Sequence, residues 1–182
     1  MPIDVLVLSA VRTPIGKFGG ALKSVHAAEL GAVAARSAIE RAGLSPPDID
    51  EVIVGHARQA GSGPNPVRQV GHRAGVPHTA PAQTVNKACA SGLQAVVAGA
   101  KSILLGESEI VLAAGIESMS RMPFLIDADD ARWGRRMGSF PLVDGMYRDG
   151  FQCPLSGLIM GQTGDVLARE RGITREASDL YA

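Results

Sequence analysis

Residues 80–115 read APAQTVNKACASGLQAVVAGAKSILLGESEIVLAAG, and this stretch decides the predicted fold class. Its β-rich start predicts a strand over 80–86, its small uncharged middle a helix over 89–105, and its apolar end a strand over 109–115. The helix carries no charge from Cys89 to Ala100, so we expect it to lie between two layers. The last strand is apolar from Ile110 onward, as in sheets that are buried on both faces.

The preceding residues extend the same alternation. Apolar, β-branched runs predict strands over 3–11 and 51–55, and an amphipathic pattern predicts a helix over 26–42. Asn65 can cap a further helix that has Pro66 at its first position and ends near Ala74. Alternating strands and helices predict an α/β fold.

The composition and periodicity of the sequence change after Ser118. Residues 119–154 are rich in Met, Pro, Gly, Asp and Arg and hold no period, whereas helices are predicted over 158–171 and again after a capping Thr174. We therefore expect two domains, an α/β domain at 1–118 and an incomplete loop or insertion domain at 119–182.

Composition excludes several classes of function. The 18 basic and 18 acidic residues cancel, so no strong field is available to attract nucleic acid or a membrane surface. Two cysteines and four histidines show neither disulfide nor metal-ligand spacing, which predicts no bound metal and a reducing, cytoplasmic location. We find no export signal and no apolar run long enough to span a membrane.

Cys89 is the strongest candidate for chemistry. It lies in the predicted turn between a strand and an uncharged helix, where free N–H groups and the helix dipole favour a thiolate over a thiol. Ala90, Ser91 and Gly92 are small, so a substrate could approach the sulfur. Position alone also fits an inert, buried cysteine. Cys153 has no comparable context and is interpreted as incidental.

Several separated motifs resemble those of the thiolases, most closely the acetyl-CoA acetyltransferases. They occur in the family's order over essentially the whole chain, as RTPIGKFGG at 12–20, VNKACASGL at 85–93, GIESMS at 115–120, DGMYRDG at 144–150 and MGQT at 160–163.

The resemblance implies a layered thiolase fold in which this chain supplies one mixed sheet with helices on both faces and part of a loop domain. It implies that Cys89 takes an acyl group from acyl-CoA before a Claisen condensation, or takes part in the reverse thiolytic cleavage. It also implies a role for Met160 in the acyl pocket, no permanently bound cofactor, coenzyme A thioesters as substrates in fatty acid metabolism, and a homo-oligomer. Ile159 stands where acetoacetyl-type thiolases commonly have His, so no acyl chain length is predicted.

Thiolases are longer than this chain, and their later half carries a His that activates the nucleophile and a second catalytic Cys. The chain therefore resembles the N-terminal half of a thiolase, and we expect it to be inactive without a complementary C-terminal half. Two alternatives stay open. One is a non-catalytic remnant that at most binds coenzyme A or a partner. The other is a ketoacyl-synthase-type condensing enzyme, against which the thiolase-like 12–20 stretch speaks.

Overall fold

The computed structural model describes residues 4–134 and 136–182. The chain divides into two compact units, the first ending at Met122 and the second running from Pro123 to Ala182. Each unit has its own secondary structure.

The first unit alternates strands and helices, as the sequence predicts. Its elements in chain order are α1 (Ala27–Arg41), β1 (Glu51–Gly55), α2 (Pro66–Ala74), β2 (Ala82–Val85), α3 (Ser91–Leu104) and β3 (Val111–Gly115). Helix α2 has both of its predicted start signals, because the Asn65 side chain accepts hydrogen bonds from the N–H groups of Val67 and Arg68 and Pro66 is the first helical residue. It ends at Gly75, whose φ of 88° suits a glycine C-cap.

The three strands form a parallel sheet in the order β2-β1-β3. Gly55, at the end of β1, pairs with Val85 on one side and with Gly115 on the other. The carboxyl ends of all three strands therefore lie at one edge of the sheet, which is where parallel α/β sheets place their ligands.

Helices cover both faces of this sheet. Val52 and Val54 of β1 join the buried cluster that includes Val67 and Val70 of α2. The intervening residues of β1 face α3, since a Cβ added at Gly55 would overlap the backbone of Ser91. This is the alternation expected of a strand between two layers, and the α/β prediction is confirmed.

Helix α3 is covered on one side only within the part of the chain that the structure describes. It packs against β1 and β3, whereas Leu93, Val96 and Val97 on its other side are 70%, 47% and 40% exposed. The second layer that the charge-free sequence predicts is therefore not found among the described residues.

The predicted strand over 3–11 is wrong for residues 4–11, and residue 3 lies outside the described residues. Residues 4–11 are in no strand, and Leu6, Val7 and Leu8 are 58–79% exposed. A β-branched pattern indicates that a segment suits a sheet, but a strand forms only where a neighbouring strand offers backbone groups to pair with. Among the described residues, no strand pairs with this segment.

The second unit combines irregular segments with two helices. A two-stranded antiparallel sheet pairs β4 (Phe124–Leu125) with β5 (Val143–Asp144), and π-helical turns cover Asp129–Gly134 and Tyr147–Phe151. The predicted helices follow as α4 (Met160–Arg171) and α5 (Arg175–Tyr181), the latter capped by the Thr174 hydroxyl as expected.

Candidate functional site

Cys89 lies in the turn that joins β2 to α3, at the edge of the sheet where the three parallel strands end. It is exposed, and it lines an open pocket of about 370 Å³. The lining residues come from the ends of β1 and β3 and from the start of α3: Gly55, Ala57, Arg58, Ala88, Cys89, Ser91, Gly92, Gly115, Ile116 and Glu117. Cys89 is therefore not buried among the described residues, and its role as a nucleophile stays a prediction.

Gly55 and Gly115 let the first turn of α3 approach the strand ends closely. A Cβ at Gly55 would overlap the carbonyl group of Ser91 and the amide of Gly92. A Cβ at Gly115 would lie 3.2 Å from the Gly92 Cα, which is tighter than ordinary contact. Backbone meets backbone here, so the position of the Cys89 turn relative to β1 and β3 depends on the absence of side chains.

Side-chain hydrogen bonds stabilise the Cys89 turn in an unusual conformation. Ala88 has a φ of 48°, in the left-handed region that non-glycine residues rarely adopt. Asn86 Oδ1 accepts a hydrogen bond from the Ala88 N–H at 3.0 Å. The Ser91 hydroxyl accepts from the Lys87 N–H at 2.9 Å and donates to the Ala88 carbonyl at 2.6 Å.

Helix α3 begins two residues later than the sequence predicts. Ser91 is its first residue and Ala90 is its N-cap. The N–H groups of Ala90 and Ser91 donate to the carbonyls of Lys87 and Ala88, each at 3.1 Å, and thereby complete the turn. Cys89 consequently precedes the helix instead of forming its first residue, and the N–H groups of Ala90 and Ser91 are already occupied.

A histidine and a glutamate form a second polar group behind the pocket. His56 is 1% exposed, and its Nε2 lies 3.0 Å from Glu117 Oε1. The other carboxylate oxygen of Glu117 accepts hydrogen bonds from the backbone N–H groups of Ala57 at 3.2 Å and Arg58 at 3.3 Å. Nδ1 of His56 is buried and has no hydrogen-bond partner among the described residues.

Sequence reasoning did not select His56 or Glu117 as site residues. A signal was present, because His56 directly follows β1 and Glu117 follows β3 by two residues. Given that β1 and β3 are adjacent and parallel, residues just beyond their carboxyl ends must meet at one edge of the sheet.

Met160 belongs to the second unit, where it is the first residue of α4. It is 51% exposed. The helix start is supported by Gln162, whose side-chain oxygen accepts a hydrogen bond from the Ile159 N–H at 3.1 Å. A role for Met160 in binding the acyl group stays a prediction.

Cys153 is half-buried in a tight turn of the second unit. A hydrogen bond with the Ser156 hydroxyl, together with the backbone N–H groups of Ser156 and Leu155, lowers the pKa of its thiol below the ordinary value. Its thiolate therefore persists to lower pH, and any labelling of Cys89 must be compared with labelling of Cys153.

Within residues 4–134 and 136–182, no cluster of three or more histidine, cysteine or carboxylate side chains is arranged to hold a metal ion. Over the same residues, no helix is both long enough and apolar enough to cross a bilayer.

Comparisons with known proteins give one consistent result. The family model for the thiolase N-terminal domain matches residues 5–182. The acetyl-CoA acetyltransferases of Cupriavidus necator and Schizosaccharomyces pombe are 48% and 44% identical to this chain over 179 residues. Each alignment covers 98% of this chain but 45% of the relative, so the chain spans less than half the length of these relatives.

A solved structure of an acetyl-CoA acetyltransferase from Syntrophomonas wolfei has a similar fold. It superposes with a TM-score of 0.88 at 42% sequence identity. The match covers 93% of this chain and 42% of the other.

Proposed function

Because the chain belongs to the thiolase family, we propose that it carries the acyl-accepting nucleophile, Cys89, of an acyl-CoA C-acyltransferase. The observation that carries the proposal is an exposed cysteine in an open pocket at the carboxyl ends of parallel strands. A thiolate is the nucleophilic form of cysteine, and a covalent intermediate divides a difficult transfer into two easier steps.

In the proposed reaction, Cys89 Sγ attacks the carbonyl carbon of an acyl-CoA thioester. A new carbon–sulfur bond forms to Cys89, the bond to the coenzyme A sulfur breaks, and coenzyme A leaves as its thiol after taking up a proton. A carbanion formed at C2 of a second acyl-CoA then attacks the acyl carbon, and Cys89 leaves as a thiolate. Thiolysis of a 3-ketoacyl-CoA is the reverse of these steps. The small residues around Cys89 support the proposal, because they leave room for a thioester to approach the sulfur.

We propose that residues 1–118 form the domain that carries the nucleophile and that residues 119–182 are part of a loop domain, in which Met160 contacts the acyl and pantetheine groups. The groups that protonate and deprotonate the reactants are proposed to come from a complementary C-terminal half. Coenzyme A thioesters act as substrates, and we propose no permanently bound cofactor. We also propose a place in fatty acid metabolism and a cytoplasmic location, and the location fits two unpaired cysteines, one of them exposed.

The acyl-enzyme intermediate provides the direct test. The chain is combined with a C-terminal half built from the Cupriavidus necator relative and exposed to acetyl-CoA, and the quenched protein is digested and analysed by mass spectrometry. We expect one added acetyl group on the peptide that contains Cys89 and none on the peptide that contains Cys153. A folded complex without an acetyl adduct at Cys89 would support the non-catalytic alternative and defeat the proposal.

We propose that the uncovered side of α3 contacts the C-terminal half and that the complete enzyme is a homo-oligomer. Leu93, Val96 and Val97 form an exposed apolar patch on α3, and contiguous patches of this kind favour association. We expect the 182-residue chain alone to self-associate in sedimentation velocity, and addition of the C-terminal half to reduce that self-association. A stable monomer at micromolar concentration without the second half would contradict this expectation.

A further inference from the structure

A single carboxylate fixes the backbone on one side of the Cys89 pocket. Glu117 reaches the buried His56 ring through Oε1 at 3.0 Å. Through Oε2 it accepts two backbone hydrogen bonds, from Ala57 at 3.2 Å and Arg58 at 3.3 Å. With both oxygens occupied, Glu117 determines where the 56–58 segment runs after β1 ends.

Asn86 connects that segment to the Cys89 turn. Its Nδ2 donates to the Ala57 carbonyl at 3.0 Å, and its Oδ1 accepts from the Ala88 N–H at 3.0 Å. Hydrogen bonds therefore continue from Glu117 through the backbone of Ala57 and the side chain of Asn86 to the residue that precedes Cys89. Ala57, Ala88 and Glu117 all line the same pocket as Cys89.

The turn needs this support because its conformation is costly. A left-handed backbone costs a non-glycine residue about 1–2 kcal/mol, and Ala88 has no side-chain group that could compensate within its own turn. The bond from Asn86 holds its N–H, and the bond from Ser91 holds its carbonyl. Losing Asn86 releases the Lys87–Ala88 peptide group on one side of Ala88, while the Ala88 carbonyl keeps its bond from the Ser91 hydroxyl.

We propose that Asn86 and Glu117 are positioning residues that hold the Cys89 sulfur in its acyl-accepting orientation. The inference rests on the proposed function, since it assigns a task to two residues at the same site. Neither residue needs to touch the substrate. Asn86 must both donate and accept, which aspartate cannot do as a carboxylate, whereas Glu117 needs only acceptor oxygen toward Ala57 and Arg58.

This division of tasks predicts different outcomes for conservative variants. In the assembled enzyme, Asn86→Ala and Asn86→Asp should each lower kcat for acetyl transfer about tenfold or more and change KM less than about threefold, because small displacements of a reacting atom have large effects on rate. Glu117→Ala should behave similarly. Glu117→Gln should retain kcat within about threefold, because its amide oxygen can accept the same two backbone hydrogen bonds.

Asn65→Ala is the matched control. Asn65 makes four hydrogen bonds, to Val67, Arg68, Ala82 and Thr84, but none to the Cys89 turn. We expect this variant to lower the melting temperature and leave kcat unchanged. A role of Asn86 in stability alone would instead give Asn86→Ala the same pattern as Asn65→Ala.

A second measurement separates failure of this inference from failure of the proposed function. The 182-residue chain is treated with iodoacetamide, and the rate of alkylation at Cys89 is divided by the rate at Cys153. This measurement needs no acyl-CoA and so does not depend on the proposed reaction. We expect Asn86→Ala and Asn86→Asp to lower this ratio about threefold or more, because the thiol loses its fixed exposed orientation, and Glu117→Gln to preserve it.

Each outcome decides the inference. If wild-type enzyme forms the acetyl adduct but Asn86→Ala keeps the wild-type kcat, the positioning role is wrong and the proposed function stands. If wild type forms no adduct, the proposed function fails and the alkylation ratio alone decides, with an unchanged ratio in Asn86→Ala overturning the inference. If Asn86→Ala does not fold, the two Glu117 variants decide. A Glu117→Gln enzyme whose kcat is as low as that of Glu117→Ala then overturns the inference.

Discussion

Gly55→Ala is expected to unfold the first unit or to lower its melting temperature by about 10 °C or more, which corresponds to about 2.5 kcal/mol or more for a unit of this size. The added methyl group would overlap the carbonyl group of Ser91 and the amide of Gly92. Both neighbours are backbone atoms in the first turn of α3, so no side-chain rotation can relieve the overlap. Overpacking in a well-packed interior already costs about 1–3 kcal/mol when side chains can adjust.

The other two glycines of this junction provide matched controls. A Cβ at Gly115 would lie 3.2 Å from the Gly92 Cα, and one at Gly92 would lie 3.6 Å from the Gly115 Cα, which is ordinary contact. We expect Gly115→Ala to destabilise moderately and Gly92→Ala to be tolerated, since alanine has a higher helix propensity than glycine by about 1 kcal/mol. Thermal unfolding followed by circular dichroism measures all three, and equal melting temperatures for Gly55→Ala and Gly92→Ala would contradict the prediction.

Local signals allowed much of the first unit to be predicted. Strand β1 (Glu51–Gly55) and helix α2 (Pro66–Ala74) have the predicted bounds, because the side chain of Asn65, the ring of Pro66 and the backbone of Gly75 act within one or two turns of the chain. Helix α3 was predicted two residues too early, since Asn86 and Ser91 extend the preceding turn through side-chain hydrogen bonds that hydrophobic periodicity does not register.

Features that depend on distant partners were harder to predict. The segment after Asp4 has the composition of a strand, yet no strand among the described residues pairs with it. A propensity is local, whereas a β-ladder requires a second strand at the right position. The charge-free sequence of α3 likewise predicts a second covering layer, which is not found among the described residues.

The candidate site also combines features that follow from neighbouring residues with features that depend on residues distant in the sequence. The position of Cys89 between a strand and a helix follows from neighbouring residues. The pairing of His56 with Glu117 spans 61 positions in the sequence and follows only when β1 and β3 are known to be adjacent and parallel. Sequence reasoning thus selected Cys89, the proposed nucleophile, and missed the groups behind it.

Cys89→Ser is expected to lower acyl transfer by at least about 10³-fold in the assembled enzyme, while leaving the free energy of unfolding within about 0.5 kcal/mol of wild type. The side chain is exposed, so replacing sulfur with oxygen removes no buried packing. A serine hydroxyl is a far weaker nucleophile than a thiolate near neutral pH, and it needs a base placed for its own geometry.

Cys153→Ser provides the control for this substitution. The pKa of the Cys153 thiol is lowered by hydrogen bonds from Ser156 and the neighbouring backbone. Cys153 would therefore react faster than an ordinary cysteine in an assay that measures only thiol reactivity. We expect Cys153→Ser to keep acetyl transfer within about threefold of wild type, because the proposed reaction does not use Cys153. Steady-state acetyl-CoA turnover measures both variants. A Cys89→Ser enzyme that kept more than about a tenth of the activity would mean that the acyl group is accepted elsewhere, and loss of activity in Cys153→Ser would identify where.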